Sequence, residues 1–381
     1  MTSLPLGQPA CATVDLSAIR DNVAAVQQRA RGAALMAIIK ADAYGHGLVP
    51  VARAALAAGA SHLGIAQVSE ALTLRSAGID APLFAWIFAP GDDLAPAVQA
   101  GIDLSAGSPW SLAAIVDAAR RVGVTARVHL KRDTGLGRGG AWGQDWRDLV
   151  TAAASAQAEG AIWVVGLFSH LACADEPEHP ANATQLAAFR EADTDLRRAG
   201  LNVEIRHLAN SAGTLLDPRT HFDLVRPGIA LYGLSPAPHL GDPARFGLRE
   251  AMRLTARLTS VKTAPAGQGV SYGHRYTTTS DTRLGLVPLG YSDGMPRQAS
   301  GTGPVQIGGT RHTVAGTLCM DQFVVDLGAE SSARPGDEVV IWGRSADGEP
   351  TAQDWAQAAG TINYEIVTRL GARVPRTWIG E

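Results

Sequence analysis

Eight short apolar runs, separated by helix-forming stretches, restrict this chain more than any other feature of it. They are ALMAII (34–39), HLGIA (62–66), PLFAWI (82–87), GIDLS (101–105), ARVHL (126–130), VVGLFS (164–169), EIRHLA (204–209) and DLVRPGIALYG (223–233). Before and between them lie segments that read as helices, among them LSAIRDNVAAVQQRA (16–30), SPWSLAAIVDAARR (108–121) and ATQLAAFREADTDLRRAG (183–200). A strand that is apolar on both faces and is followed by a helix belongs to a parallel sheet covered on both sides. Eight such units predict a (β/α)8, TIM-like barrel, with an open doubly wound sheet as the alternative.

Near residue 236 the texture changes. SPAPHLGDPARFG is rich in Pro and Gly, and after it come alternating, β-branched segments with glycine turns: MRLTARLTSVKTAPAGQGVSYG, TRLGLVPLGYSDG, RHTVAGTLCMDQFVVDLG and DEVVIWG. These predict a mainly antiparallel β domain, closed by the helical tail TAQDWAQAAGTINYEIVTRL. The expected organisation is a barrel over residues 12–238 and a β domain over 239–381, with residues 1–11 associated with the second. A length of 381 residues suits two domains.

A net charge of −3 gives no electrostatic footprint for nucleic acid. No apolar run approaches the roughly 18 residues that span a bilayer, and the N-terminal segment lacks the basic-then-apolar pattern of a secretory signal. Cys11, Cys173 and Cys319 are far apart and odd in number, which fits a reducing cytoplasm and argues against a disulfide framework or a zinc site.

The chain uses lysine only at positions 40, 131 and 262; its other basic residues are arginine. In a (β/α)8 barrel, chemistry gathers at the C-terminal strand ends. Lys40 ends the first predicted strand, Lys131 the fifth and His170 the sixth. His207, Asn210 and Ser211 end the seventh, and Arg226 and Gly228 lie at the eighth. An amine at such a mouth can form a Schiff base with a carbonyl, either a sugar or pyridoxal phosphate. Tyr44, SAG (211–213) and RPGIA (226–230) offer hydroxyl and backbone N–H groups suited to a phosphate, and a second-domain loop, QGVSYGHRY (268–276), offers a tyrosine.

At this point the residues resemble a known family. AIIKADAYGHG, HLKRDTGLGRGG (129–140), GLFSHLACADE (166–176), HLANSAG (207–213), VRPGIALYG (225–233), GVSYG (269–273), PLGYSDG (288–294), AGTLCMDQ (315–322) and TINYE (361–365) occur in the order found in the bacterial alanine racemases. The resemblance runs from about residue 11 to the end. It implies an isomerase that binds pyridoxal 5'-phosphate, interconverts L- and D-alanine, supplies D-alanine for peptidoglycan, and works as a cytoplasmic homodimer.

By the same resemblance Lys40 carries the cofactor and serves as the base on the D-alanine face. Tyr272, reaching the partner's site, is the base on the other face. Amine and phenol have ordinary pKa values near 10, so both need their surroundings to make them bases at neutral pH. His170 is the expected partner of Tyr272 and is itself held by Arg226, which faces the cofactor's pyridine nitrogen. Arg138 binds the substrate carboxylate side and the cofactor's phenolic oxygen, and Lys131 beside it is a candidate for carbamylation. Tyr44, Ser211, Gly228, Ile229 and Tyr364 form the phosphate cradle, with His207 and Asn210 near the ring. Met320 offers its backbone N–H to the substrate from the partner subunit. Tyr291 and Tyr364 gate the access channel, with Asp175 and Arg297 further out.

Three other functions compete with this one. A serine or broad-specificity racemase of the same fold would differ in its channel residues. A decarboxylase of this two-domain architecture would need a cysteine and acidic groups arranged for a diamine, and no stretch matches. A non-catalytic pyridoxal-phosphate carrier is a single barrel, against which residues 240–381 and Tyr272 argue.

Overall fold

A computed structural model describes residues 8–30 and 32–380. Residues 1–7 and Glu381, at the ends of the ranges given to the second domain, lie outside it, as does Arg31.

The first strand, β1 (Ala10–Asp15), hands the chain to a helix over Leu16–Arg29. Asp15 caps that helix, its Oδ1 accepting from the N–H groups of Ser17 at 2.9 Å and Ala18 at 3.2 Å. Leu16, Ile19, Val23 and Val26, spaced at three and four residues, form its buried stripe.

The barrel strands follow: β2 (Ala34–Ile38), β3 (His62–Gln67), β4 (Leu83–Ile87), β5 (Asp103–Ala106), β6 (Ala126–Lys131), β7 (Ile162–Phe168), β8 (Ile205–His207) and β9 (Leu224–Val225). Each falls within, or within two residues of, one of the eight predicted runs. They pair in parallel in the order β8-β7-β6-β5-β4-β3-β2-β9. The ring closes between its end strands through Asp223 N–H to Arg206 O, 3.1 Å, and Arg226 N–H to Ala209 O, 2.9 Å. Closure excludes the open sheet. The interior is filled by side chains such as Met36, Ile38, Phe84 and Phe168. Gly64 faces inward where a Cβ would sit 2.3 Å from Ile38 Cδ1, so only glycine leaves room for that packing.

The rest of the chain builds the second domain from β10 (Met252–Arg257), β11 (Ser260–Ala264), β12 (Gly269–Val270), β13 (Tyr276–Thr277), β14 (Thr282–Val287), β15 (Pro304–Ile307), β16 (Thr310–Thr313), β17 (Phe323–Asp326), β18 (Glu338–Trp342) and β19 (Arg376–Ile379). A six-stranded sheet runs β16-β15-β18-β10-β1-β19, and a three-stranded one β11-β14-β17. Pairing is antiparallel except for β1 with β19. Strand β1 was not among the strands read from the sequence. Its residues Ala12–Asp15 fall within the range drawn for the barrel, yet they pair with Leu254, Arg253 and Met252 and with Arg376–Ile379. The tail forms two short helices, Ala352–Ala359 and Asn363–Thr368. The second lies against the loop after β2: a Cβ on Gly45 would sit 2.4 Å from Val367 O.

Candidate active site

A cavity of about 410 Å³ opens at the C-terminal mouth of the barrel. It brings together Lys40, Tyr44, Lys131, Arg138, His170, Asn210, Ser211, Arg226, Gly228, Ile229 and Tyr364, eleven residues expected at the site from the sequence. Two of the chain's three lysines therefore line one cavity, while Lys262 is exposed on β11.

Lys40 stands two residues beyond β2 and opens an unusual turn. Ala41, Asp42, Ala43 and Tyr44 have φ of 55, 52, 53 and 54°, a full turn of left-handed helix built from residues with a Cβ. Such a conformation costs about 1–2 kcal/mol per residue and persists only where its surroundings enforce it. Here Glu70 Oε1 accepts from Asp42 N–H at 2.9 Å, and Asp42 Oδ1 accepts from Leu48 N–H at 2.7 Å. Tyr44 is locked by stacking on Tyr232, with ring centroids 4.7 Å apart, and Tyr232 donates to Ile38 O at 2.9 Å. The turn sends Lys40 and Tyr44 into the same cavity, with Lys40 Nζ 6.0 Å from the Tyr44 ring centroid and 5.9 Å from that of Trp86.

Opposite, the end of β9 brings its backbone close to Tyr44. A Cβ on Gly228 would sit 2.3 Å from Tyr44 Oη, so glycine is required there. Ser211 Oγ accepts from Gly228 N–H at 2.8 Å and from Ala230 N–H at 3.4 Å. Asn210 caps the following short helix by accepting from Gly213 N–H at 2.9 Å. Tyr364 closes this side, 6.2 Å from Tyr44 ring to ring. Burial pushes the phenols of Tyr44 and Tyr364 up, so both remain hydroxyl donors.

Arg138 is carried by the loop after β6. The Asp133 carboxylate anchors that loop by accepting from four successive N–H groups, those of Gly135, Leu136, Gly137 and Arg138, at 2.9 to 3.2 Å. Arg226 is buried; its Nη2 donates to Ser169 O at 2.6 Å and Leu208 O at 3.2 Å and faces His170 Nδ1 at 3.4 Å, while its Nη1 faces His207 Nδ1 at 3.2 Å.

The electrostatics are one-sided. Lys40, Lys131, Arg138 and Arg226 line the cavity, and among the described residues no carboxylate does. Burial, and then the charge of Arg138, holds the Lys40 ammonium below its ordinary pKa. The same causes, with Arg226 added, bring Lys131 down to about 8. Burial lowers Arg226 to about 9, which leaves it charged at neutral pH. Burial, then Arg226 and Arg138, depresses His170 well below the usual imidazole range, so it is neutral and can accept from Arg226. Four basic groups, two donor hydroxyls and a glycine-opened backbone suit a ligand carrying a phosphate at one end and a carboxylate nearby. The residues present thus fit pyridoxal 5'-phosphate with an amino acid beside it.

Six expected residues do not line this cavity: His207 lies behind Arg226, Asp175 and Arg297 were expected further out, and Tyr272, Met320 and Tyr291 are exposed. Tyr272 is 73% exposed, Met320 53% and Tyr291 39%. These last three share one surface of the second domain instead. Thr317 Oγ1 donates to Tyr272 O at 2.8 Å, Tyr291 N–H donates to Cys319 O at 3.1 Å, and Ser292 N–H donates to Met320 O at 3.0 Å. The cavity also includes Phe84, Trp86, Phe168 and Thr368, which sequence reasoning passed over. Phe84 and Trp86 alternate along β4 and so share a face, and Thr368 follows Tyr364 by one helical turn; both spacings were visible signals.

Residues 14–236 match the family profile of the alanine racemase N-terminal domain and residues 251–378 that of its C-terminal domain. The chain belongs to the alanine racemase family. An alanine racemase from Beutenbergia cavernae is 59% identical over 374 residues, covering 98% of both chains. Among solved structures, alanine racemase from the D-cycloserine producer Streptomyces lavendulae superposes with a TM-score of 0.97 at 55% identity, and that of Streptomyces coelicolor with 0.96 at 56%; each comparison covers 98% of both chains. The chain is accordingly an isomerase of a pyridoxal 5'-phosphate-dependent racemase family.

Proposed function

We propose that the chain interconverts L- and D-alanine with two bases, Lys40 and Tyr272, in a site completed by a second copy of itself. The observation that carries this reading is the division of the expected residues. Those for cofactor and phosphate line one cationic cavity, whereas Tyr272, Met320 and Tyr291 lie together on an exposed face of the other domain. A symmetric dimer that placed this face over the partner's cavity would complete both sites at once.

When bound, pyridoxal phosphate makes the α-hydrogen of an attached amino acid acidic by drawing off electron density. The remaining work falls to the chain. Lys40 would hold the cofactor, and its Nζ would take or return the α-proton on one face; its depressed basicity suits that exchange. Tyr272 Oη does the same on the other face, with neutral His170 as its proton partner. Tyr44, Ser211, Tyr364 and the N–H groups at Gly228 and Ile229 hold the phosphate. Arg226 presents a permanent donor where many such enzymes place a carboxylate. Arg138 and the backbone N–H of Met320 hold the substrate carboxylate, and Tyr291 lines the approach. Lys131, with an amine brought down to about 8 beside two arginines, is suited to react with carbon dioxide, giving a carbamate anion and releasing a proton. The product serves cytoplasmic peptidoglycan synthesis in this reading. A serine or broader preference is the alternative, which the exchange experiment separates from alanine racemisation.

The test is α-deuterium exchange and loss of chirality with L-alanine and L-serine in deuterated water. Wild type should exchange alanine, Lys40→Ala should not, and Tyr272→Phe should be sharply reduced. Mixing the two inactive variants tests the shared site. Exchange of subunits should restore about a quarter of wild-type activity, because half of the dimers are mixed and each then holds one intact site. No restoration after verified subunit exchange would refute the shared site. Incorporation of carbon-13 from labelled bicarbonate at Lys131 tests the carbamate.

A further inference from the structure

Beneath the cavity the barrel encloses a line of polar groups that starts at Arg226 and whose other members the reaction described above does not use. Arg226 Nη1 lies 3.2 Å from His207 Nδ1; His207 Nε2 lies 2.8 Å from His129 Nδ1; and His129 Nε2 lies 3.2 Å from Asp103 Oδ2. Arg127 Nε donates to the other oxygen of Asp103 at 2.8 Å. Asp103, His129 and His207 are buried at 3%, 0% and 0% exposure. The line crosses the barrel interior from β5 through β6 and β8 to the end of β9.

The fold is shaped to hold it. The pairing of β6 with β7 shifts register between Val128 and His129, and a bulge of this kind re-aims a side chain. Opposite, Gly166 leaves room for the imidazole: a Cβ there would sit 2.1 Å from His129 Nδ1. Phe84 packs on the His129 ring at 4.5 Å, and Phe168 stacks on the His207 ring at 5.1 Å with 13° between planes.

The two ends fix the direction of every bond between them. A guanidinium can only donate, so His207 Nδ1 must accept. The proton of neutral His207 then sits on Nε2 and is given to His129 Nδ1. The proton of His129 in turn sits on Nε2 and is given to the carboxylate of Asp103. The reverse order would set an N–H of His207 against an N–H of Arg226. An imidazolium at His129 would leave His207 with no proton at all. One arrangement satisfies all four groups.

We propose that Asp103 and His129 are positioning residues for this racemase: through His207 they form a one-way hydrogen-bond chain that fixes both imidazoles as the neutral Nε2–H form and pins Nη1 of Arg226. With Nη2 already held by Ser169 O and Leu208 O, the guanidinium has one orientation left to offer the cavity. Without the anion at the far end, His207 loses its reason to keep Nδ1 bare. Turned around, it would repel Arg226 and release the cation from its place. The catalytic consequence rests on the role given to Arg226 above; the proton positions do not.

Neutron diffraction from deuterated crystals of the full-length enzyme, with and without pyridoxal phosphate, reads those positions directly. Deuterium on Nε2 and not on Nδ1 of both His129 and His207 is expected. Deuterium on either Nδ1 overturns the chain whatever the activity proves to be. In the functional arm, Asp103→Asn keeps the volume and removes the charge. For the correctly folded variant with cofactor bound, kcat for alanine should fall about tenfold, with KM within about twofold, and the absorbance of the bound cofactor should shift. His129→Phe should do the same, and Asp103→Glu should recover part of the loss. Asp103→Asn with unchanged kcat and unchanged spectrum would reduce Asp103 to a structural residue and refute the positioning role. Intact proton order with a shifted cofactor spectrum but unchanged kcat would leave the positioning role standing and discard instead the catalytic role assigned to Arg226.

Discussion

The left-handed turn after Lys40 allows one substitution to be tested with opposite signs at two places in the same molecule. Ala41 is exposed and sits at φ 55°, so its methyl group makes no core contact and pays only the steric cost of the left-handed region. That cost is about 1–2 kcal/mol for a residue with a Cβ. Ala41→Gly removes it but adds about 0.4–1 kcal/mol of chain entropy to the unfolded state. The net expectation is a stabilisation of about 0.5–1 kcal/mol. Ala187 is also exposed, but lies in the middle of the right-handed helix Pro180–Arg198. There Ala→Gly has nothing to relieve and should destabilise by about 0.5–1 kcal/mol. The two variants should therefore differ by roughly 1–2 kcal/mol, with wild type between them. Denaturation midpoints of the cofactor-free protein at fixed concentration will show the order. The strain also has a use: it fixes the direction in which Lys40 and Tyr44 leave the strand. Ala41→Gly should accordingly weaken cofactor binding while strengthening the fold. If both variants destabilise to the same degree, the turn is not strained and the argument from its dihedral angles fails.

Three further outcomes follow from the geometry. Gly228→Ala drives a methyl group to 2.3 Å from Tyr44 Oη, which stacking on Tyr232 prevents from moving away; it should cost about 1–3 kcal/mol of stability and weaken pyridoxal phosphate binding in a spectrophotometric titration. Asp133→Ala removes the acceptor for four N–H groups that hold the Arg138 loop, and kcat/KM for alanine should fall by roughly tenfold or more at unchanged cofactor affinity, a loss of about 1.4 kcal/mol or more of transition-state binding. His46 is held neutral by burial, with its pKa lowered to about 4 from about 6.5. The unfolded chain therefore takes up a proton between those values that the folded one refuses. The contribution to stability is whole above pH 6.5 and is lost as pH falls toward 4, by about 3 kcal/mol in all. Acid titration of the denaturation midpoint should be shallower in His46→Gln.

What could be read in advance depended on whether the signal was local. Parallel barrel strands are buried on both faces and so appear as apolar runs, and all eight were legible. Strand β1 was not, because ACATVD is short and its partners, Met252–Ala256 and Arg376–Ile379, lie more than 230 residues away. The residues of the cavity were found from strand ends and motif order. The handedness of ADAY after Lys40 was invisible, since two alanines in four residues favour an ordinary helix and only the contacts of Glu70, Leu48 and Tyr232 impose the other hand. Asp103 and His129 read as scattered polar residues in apolar strands. The register shift at His129 and the space left by Gly166 exist only between strands.

The scarcity of lysine takes on a physical meaning at this cavity. Burial lowers the basicity of Lys40, Lys131 and Arg226, but not with equal effect. Arg226, fully buried, comes down only to about 9 and keeps its charge, whereas Lys131 comes down to about 8, which leaves about a tenth of it as free amine at pH 7. An arginine can therefore supply fixed positive charge in this site and a lysine cannot be relied on to do so, while a lysine can supply a lone pair and an arginine cannot. Both needs meet within one cavity, which no carboxylate among the described residues lines. The cofactor-free protein holds this repulsion against it, and the phosphate and carboxylate of its ligands are what discharge it. Each anion that enters should strengthen the fold and partly reverse the depression of the cavity amines, so the repulsion that favours binding is the same one that keeps those amines poised as bases before the ligand arrives.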